Sequence, residues 1–371
     1  MAHLKIINVV GVRPNFIKVG ALHRAFLHNK DVESKIVHTG QHFDAKMSEV
    51  FFEQLELPQP DYYLGINGGS HSVQTAQMMM AFESVLLDEK PDVVLVVGDV
   101  NSTVACALVA AKEQVPLVHV EAGLRSGDRT MPEEINRILI DSVSNLFFTT
   151  ESSATENLLR EGISKEKIHF VGNVMIDSLV RYRQKAQELH VGKQFGLKSG
   201  EYVLVTMHRP DNVDSEVGLK GVLTMLASIA ERQKVIFSMH PRTRLSLQRL
   251  GLLLRLTAME GVVLVEPQGY LEFLSLMLDA RLVITDSGGI QEETTFLQIP
   301  CITYRSSTER PVTVALGTNY LASDLSPQTV LGLVDEIVAG NAKKGSIPPL
   351  WDGHAAGRIA AVVLETYRKP S

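Results

Sequence analysis

The sequence predicts an α/β protein made of two facing, doubly wound (Rossmann-like) domains. Three observations carry this. Short β-branched runs alternate with longer amphipathic stretches, as parallel βαβ units require. The alternation restarts midway along the chain. With 371 residues, 45% of them hydrophobic, the chain is too long for one ordinary core, and it has the material for two domains of about 150 to 200 residues.

The first strand is KIINVV (5–10), and the helix after it places Phe16, Val19, Leu22 and Phe26 on one stripe. SKIVHT (34–39), DVVLVV (92–97) and PLVHV (116–120) continue the first sheet. The second sheet opens at YVLVTM (202–207) and continues through KVIFSM (234–239), VVLV (262–265), RLVIT (281–285) and PCIT (300–303). Between the two lies a charged stretch, RYRQKAQELHVGKQ (181–194), expected to contribute little to either core. The domains are therefore set at 1–175 and 176–354, with a closing helix, 355–371, crossing back onto the first.

Composition narrows the function. The 36 basic and 42 acidic residues are well mixed and leave a net charge of −6, which gives no field for nucleic acid. Cys106 and Cys301 are the only cysteines, each in an apolar segment, which suits buried thiols in a reducing compartment. The apolar start is too short for a signal peptide, and no run approaches the roughly 20 apolar residues of a membrane span. A cytoplasmic protein with no membrane partner is expected.

In open parallel sheets, ligands bind beyond the carboxyl ends of the strands, where turns offer backbone donors and helix N-termini. The turns in question read GVRPNFIK, TGQHFD, GDVNST and EAGLRSGD in the first half, and MHRPDN, MHPRT, EPQGY and TDSGGIQEE in the second. Two such edges share a ligand only if they face one another across a cleft. TDSGGIQEE (285–293) suits a phosphate, because Gly288 and Gly289 let backbone N–H groups approach an anion and Ser287 adds a hydroxyl. A tight turn with Ser287 as N-cap explains the same glycines. Asp99 and Glu121 directly follow strands and are placed as acid or base. Glu133 and Glu134 complete the acidic set, although Thr130-Met-Pro-Glu133 also matches a capping box and Asp99 also suits a turn. His208 and His240 each follow a strand beside an Arg or Pro-Arg. Arg13, Lys18, Arg125, Arg209, Arg242 and Arg310 are candidate diphosphate contacts. There is no P-loop, GxGxxG, HExxH or CxxC, so neither a nucleotide cofactor nor a metal is called for.

Taken together, GDVNST, HVEAGLRSGD with PEEINR, HRPDN, TDSGGIQEE and STERP occur in an order and spacing that resemble the non-hydrolysing UDP-N-acetylglucosamine 2-epimerases, from about residue 5 to residue 320. The resemblance implies the glycosyltransferase-B fold and a homodimer acting on a UDP-N-acetyl amino sugar without a cofactor. It implies a reaction that eliminates UDP across C1 and C2 to a 2-acetamidoglucal and adds it back after protonation on the other face. UDP would lie on Ser287, Gly288 and Gly289, helped by Arg13 and His208. Glu293 would hold the ribose, Phe273 would pack on uracil and Arg310 would lie near the nucleotide. The remaining binding set is Lys18, Arg209 and His240. Asp99, Glu121 and Glu133 would face the sugar and move protons, with His208 assisting departure of UDP.

The sequence departs from that family at two places. Asn15 and Phe16 follow the first Arg-Pro where many members have an acidic residue, so a diacetamido or uronate sugar is an alternative substrate. Gln41, His42 and His240 match an activator site that the resemblance implies for some members, but Asp44 stands near its second Gln and INGGSHS (66–72) offers no Arg, which argues against allosteric activation. A UDP-sugar glycosyltransferase of the same fold and a hydrolysing epimerase that releases UDP stand as alternatives.

Overall fold

A computed structural model describes residues 3–41 and 55–368. The chain divides into two compact units, residues 1–181 with 349–371, and residues 182–348.

In the first unit β1 (Leu4–Val10), α1 (Arg13–Leu27), β2 (Val32–His38) and β3 (Tyr62–Tyr63) come first, followed by α2 (His71–Glu89), β4 (Val93–Val97) and α3 (Asn101–Lys112). Next are β5 (Leu117–Val120), α4 (Pro132–Val143), β6 (Leu146–Thr149), α5 (Ser152–Arg160), β7 (Ile168–Phe170) and α6 (Val174–Leu189), which runs across the division between units. The seven strands lie in the order β3-β2-β1-β4-β5-β6-β7 and pair in parallel throughout. Strand β4, VVLVV, is buried at every position, as a parallel strand covered on both faces must be. Phe16, Val19, Leu22 and Phe26 of α1 are all buried.

The second unit repeats the plan with β8 (Tyr202–Thr206), α7 (Pro210–Val213), α8 (Glu216–Ala230), β9 (Lys234–Ser238), α9 (Pro241–Arg249), α10 (Leu253–Thr257) and β10 (Val262–Val265). It continues with α11 (Tyr270–Asp279), β11 (Leu282–Thr285), α12 (Gly288–Leu297), β12 (Cys301–Thr303), α13 (Pro311–Ala315), β13 (Asn319–Leu321) and α14 (Pro327–Glu336). Its six strands run β10-β9-β8-β11-β12-β13, again all parallel. Strand order reverses between β1 and β4 in one sheet and between β8 and β11 in the other. At such switch points adjacent turns diverge and leave a crevice at the strand ends.

Two expectations need revision. The charged stretch 181–194 does contribute to a core, because α6 lays Tyr182 and Ala186 inward and Val191 follows them into burial. Charged residues on the other side of a helix hid that stripe. The capping box at Thr130 does not form: Met131 is the N-cap of α4 and makes no side-chain cap bond, while the Thr130 hydroxyl donates to Asp128 at 2.6 Å.

The last helix, α15 (Ala355–Tyr367), belongs to the first unit and packs on α1. Asp177 of α6 accepts the Ala355 and Ala356 amides at 3.1 and 2.7 Å, supplying the cap that the N-terminus of α15 lacks. The Trp351 indole donates to the Thr150 carbonyl at 2.9 Å. Cys106 and Cys301 are buried, and burial pushes both thiols up. Among the described residues, no helix is long and apolar enough to cross a membrane.

Candidate functional site

The strand ends of the first unit gather acid groups held by cations. Lys18 on the second turn of α1 meets Glu121 just after β5, and both side chains are buried. Lys18, grouped by sequence with the diphosphate cations, thus has its ammonium on a carboxylate of its own unit. Asn15, one turn earlier, donates from its amide to the Val97 carbonyl at the end of β4 (2.6 Å). A Cβ on Gly98 would fall 3.8 Å from a Glu121 carboxylate oxygen and 3.9 Å from the Asn15 amide nitrogen, so these two side chains flank the Gly98 turn. The next residue, Asp99, is partly exposed and accepts from the Arg137 guanidinium. Asn136 donates to the Asp99 carbonyl at 2.9 Å.

Arg137 was not singled out from the sequence, although it closes the PEEINR motif. It joins Asp99 to Glu134, which it meets at 2.7 Å. Glu134 in turn accepts the Ser126 and Gly127 amides at 3.0 and 2.9 Å, fixing the loop that leads into α4. Of the two acids that begin this helix, Glu134 is therefore the buried anchor, and Glu133 is the more exposed. Burial would raise the Glu134 carboxyl, but these amides and Arg137 outweigh it and hold it below its ordinary value. Arg13 opens α1, and its side chain lies outside the described part of the structure, as do His42 and Asp44. Gln41 accepts the Ser102 amide at 3.0 Å and its hydroxyl at 2.6 Å. Arg125 is spent on Asp141 (2.8 Å) and Glu161 (2.6 Å).

The second unit's switch point is organised by Asp286, a fully buried carboxylate within TDSGGIQEE that no local pattern marks. It accepts the His208 and Arg209 amides at 3.0 and 2.8 Å, the Asn212 amide at 2.9 Å, and the His208 ring Nδ1 at 3.1 Å. Burial would raise it, yet the His208 ring and these donors leave it below its ordinary value. The turns after β8 and β11 are thereby tied together, with the His208 ring partly exposed and 5.3 Å from the ring of His240. His240 also caps α9, its Nδ1 accepting the Arg242 amide at 3.2 Å. Arg242 itself pairs with Asp214.

Ser287 is the N-cap of α12, but its side chain makes no cap bond to that helix. Gly288 packs directly against Arg310, which is buried and bonded to Glu292 at 2.7 Å and to Glu309. Arg305 grips the same Glu309 at 2.8 Å. Burial pushes the Glu309 carboxyl up, and the charges of Arg310, Arg305 and Arg209 reverse this and carry it far below the carboxylate range. Arg310 is therefore a partner of buried carboxylates beneath the glycine turn. Glu293, on the same helix, is buried and accepts the Tyr270 hydroxyl at 2.9 Å. Tyr270 opens α11 with its ring edge-on to Tyr182, and Phe273 is half-buried one turn on. Tyr270 was legible only as part of the EPQGY turn, because contact with Glu293 depends on the fold.

Residues 24–364 match the family described as UDP-N-acetylglucosamine 2-epimerase. A UDP-N-acetylglucosamine 2-epimerase of Methanocaldococcus jannaschii is 42% identical, with 99% of this chain and 100% of the relative aligned. A Pseudomonas aeruginosa UDP-2,3-diacetamido-2,3-dideoxy-D-glucuronate 2-epimerase is 45% identical, over 86% of this chain and 88% of the relative. A crystal structure of the M. jannaschii enzyme in complex with UDP-GlcNAc and UDP superimposes with a TM-score of 0.91 at 41% identity, over 97% of this chain and 99% of that one.

Proposed function

Because the chain belongs to the UDP-N-acetylglucosamine 2-epimerase family, we propose that it is an isomerase that inverts C2 of a UDP-2-acetamido sugar in the cytoplasm, by elimination and re-addition of UDP. The observation that carries this is the pairing of Asp99 and Glu121 with cations at neighbouring strand ends of the acidic unit. Epimerisation at an unactivated C2 needs a base that takes the proton and an acid that returns one to the opposite face. In the forward step the C2–H bond breaks, its electrons form the C1–C2 double bond, and the C1–O bond breaks with its pair leaving on UDP. Re-addition reverses the flow after a proton arrives from the other side.

Asp99, Glu121 and Glu133 move these protons. Lys18 and Arg137 hold Glu121 and Asp99 in place at those strand ends. The Gly288 and Gly289 amides and the Ser287 hydroxyl take the diphosphate, at a helix N-terminus suited to an anion. His208, held by Asp286, acts with Arg13, Arg209 and His240 on the departing charge. Glu293 takes the ribose hydroxyls and Phe273 packs on uracil. Arg310 acts from beneath, supporting Gly288.

The test is incubation with UDP-N-acetylglucosamine in deuterated water, followed by NMR of C2 and of free UDP. Deuterium at C2 with a gluco/manno mixture and little free UDP is the expected result. Stoichiometric UDP release identifies a hydrolysing enzyme. No change with this sugar, or with diacetamido and uronate analogues, rejects the proposal. Asp99→Asn and Glu121→Gln should each largely abolish exchange while UDP binding stays within a few-fold; full activity in both would overturn the proton-transfer assignment.

A further inference from the structure

We propose that the buried His119–Asp141 pair is a positioning device that fixes Asp99 and Glu121 relative to each other, a role that rests on the proton-transfer assignment above. His119 lies on β5 and is fully buried, as is nearly all of Asp141 on α4. The imidazole Nε2 donates to the Gly98 carbonyl at 3.0 Å, and Nδ1 meets one Asp141 oxygen at 2.6 Å. The other Asp141 oxygen accepts the Gly123 amide at 3.1 Å. One side-chain couple therefore grips two turns. Gly98 immediately precedes Asp99, and Gly123 lies two residues after Glu121.

Those turns need such a grip. Gly98, Glu121 and Gly123 have φ of +69°, +71° and +79°. The glycines adopt this region freely, but Glu121 carries a Cβ and is strained there. A conformation of that kind persists only where its surroundings over-determine it. Here the Glu121 and Ala122 amides both donate to the Phe148 carbonyl at 3.0 Å. The Gly123 carbonyl accepts from Asn157 at 2.9 Å, and a Cβ on Gly123 would lie 2.3 Å from the Ala154 carbonyl oxygen.

Asp141 completes the clamp from the core side. Burial would raise its carboxyl, but His119 and Arg125 outweigh that and keep it below the ordinary value, so both oxygens remain acceptors. A buried pair that served the core alone could take its partners from any nearby backbone. This one takes them from the two turns that present the proposed acid and base.

The experiment compares the intact protein with Asp141→Asn, whose amide leaves only one acceptor for three donors, the His119 ring, the Gly123 amide and Arg125, and with His119→Gln, which gives up the bridge between the turns. Each variant is checked for folding by circular dichroism, then assayed for C2 deuterium exchange, kcat and KM on the sugar the wild type turns over, and for UDP affinity by calorimetry. Displacing reacting groups by about an ångström should lower kcat and exchange about a hundredfold, with KM and UDP affinity staying within about threefold. A purely structural defect lowers the amount of active protein and leaves kcat per UDP-binding site unchanged. A folded variant with wild-type kcat per site would overturn the positioning role, as would a loss shared equally by KM and UDP affinity. If Asp141→Asn does not fold, His119→Gln decides on the same criteria. A wild type inactive on every sugar tested removes the proton-transfer assignment, and this inference with it.

Discussion

Gly288→Ala tests how tightly the proposed diphosphate turn is built. A Cβ at Gly288 would lie 2.6 Å from the Arg310 Nη1 and 2.7 Å from a Glu309 oxygen. The ends of side chains usually swing away from such an intrusion. Arg310 is anchored, because its Nε is 2.7 Å from Glu292, its Nη1 is on Glu309, and Arg305 holds Glu309 from the other side. Overpacking a filled site costs about 1–3 kcal/mol, whereas parting Arg310 from Glu309 inside the protein would cost about 3–5 kcal/mol. The cheaper route is displacement of the turn, at about 2–3 kcal/mol. For a domain of about 150–250 residues each kcal/mol is worth about 2–4 °C, so melting of the second unit should fall by about 4–12 °C. Moving the turn also withdraws its amides from UDP, and a loss of about tenfold in affinity, or about 1.4 kcal/mol, is expected by calorimetry. Gly332→Ala is the control within the same unit. That glycine lies in α14 with nothing within 4 Å of an added Cβ, so the helix should gain about 0.5–1 kcal/mol. A Gly288→Ala protein that melts with the wild type and binds UDP undiminished would refute the packing argument.

Two further outcomes are expected. Tyr270→Phe removes the donor that holds Glu293, a bond to a charged group worth about 1.5–3 kcal/mol; UDP should bind several-fold more weakly while 2′,3′-dideoxy-UDP is unaffected, and an equal loss for both would remove Glu293 from the ribose. Acid stability follows from Asp286, Asp141 and Glu309, which fold with pKa values below the ordinary 3.8 for Asp and 4.5 for Glu. Their stabilisation is complete above those unfolded values and is lost as pH falls toward the lower folded ones. The melting temperature should therefore begin to drop as pH falls through about 5 and keep dropping toward the lower folded values, less steeply in Glu309→Gln; a flat profile would contradict the linkage.

The sequence made the sheets legible wherever strands were long and β-branched. It was silent on β3, β7 and β13, which have two or three residues each, and on β6, whose LFFT has no β-branched residue before its last position. Pairing with neighbours, not propensity, makes those segments strands. The turns at the strand ends were visible because glycine, histidine and acidic residues interrupt apolar runs there. The supports of those turns were not. Arg137, Asp286, Glu309 and Tyr270 lie in helices and motifs where a charged or phenolic residue is unremarkable. Their meaning comes from contacts at separations that no local pattern encodes, such as the 78 residues between His208 and Asp286. Lys18 was legible as a cation but its contact with Glu121 was not, because a helical register fixes its face but not what lies opposite.

The first unit is written in two pieces, with the whole of residues 182–348 intervening before Trp351 and α15 appear. In synthesis from the N-terminus, the second unit is complete before the first has its last helix. Until then α1 lacks its α15 cover, and Asp177 lacks the two amides it caps. The unit proposed to carry the proton chemistry thus becomes whole only after the unit proposed to hold UDP, and the order of maturation is the reverse of the order in which the chain begins them.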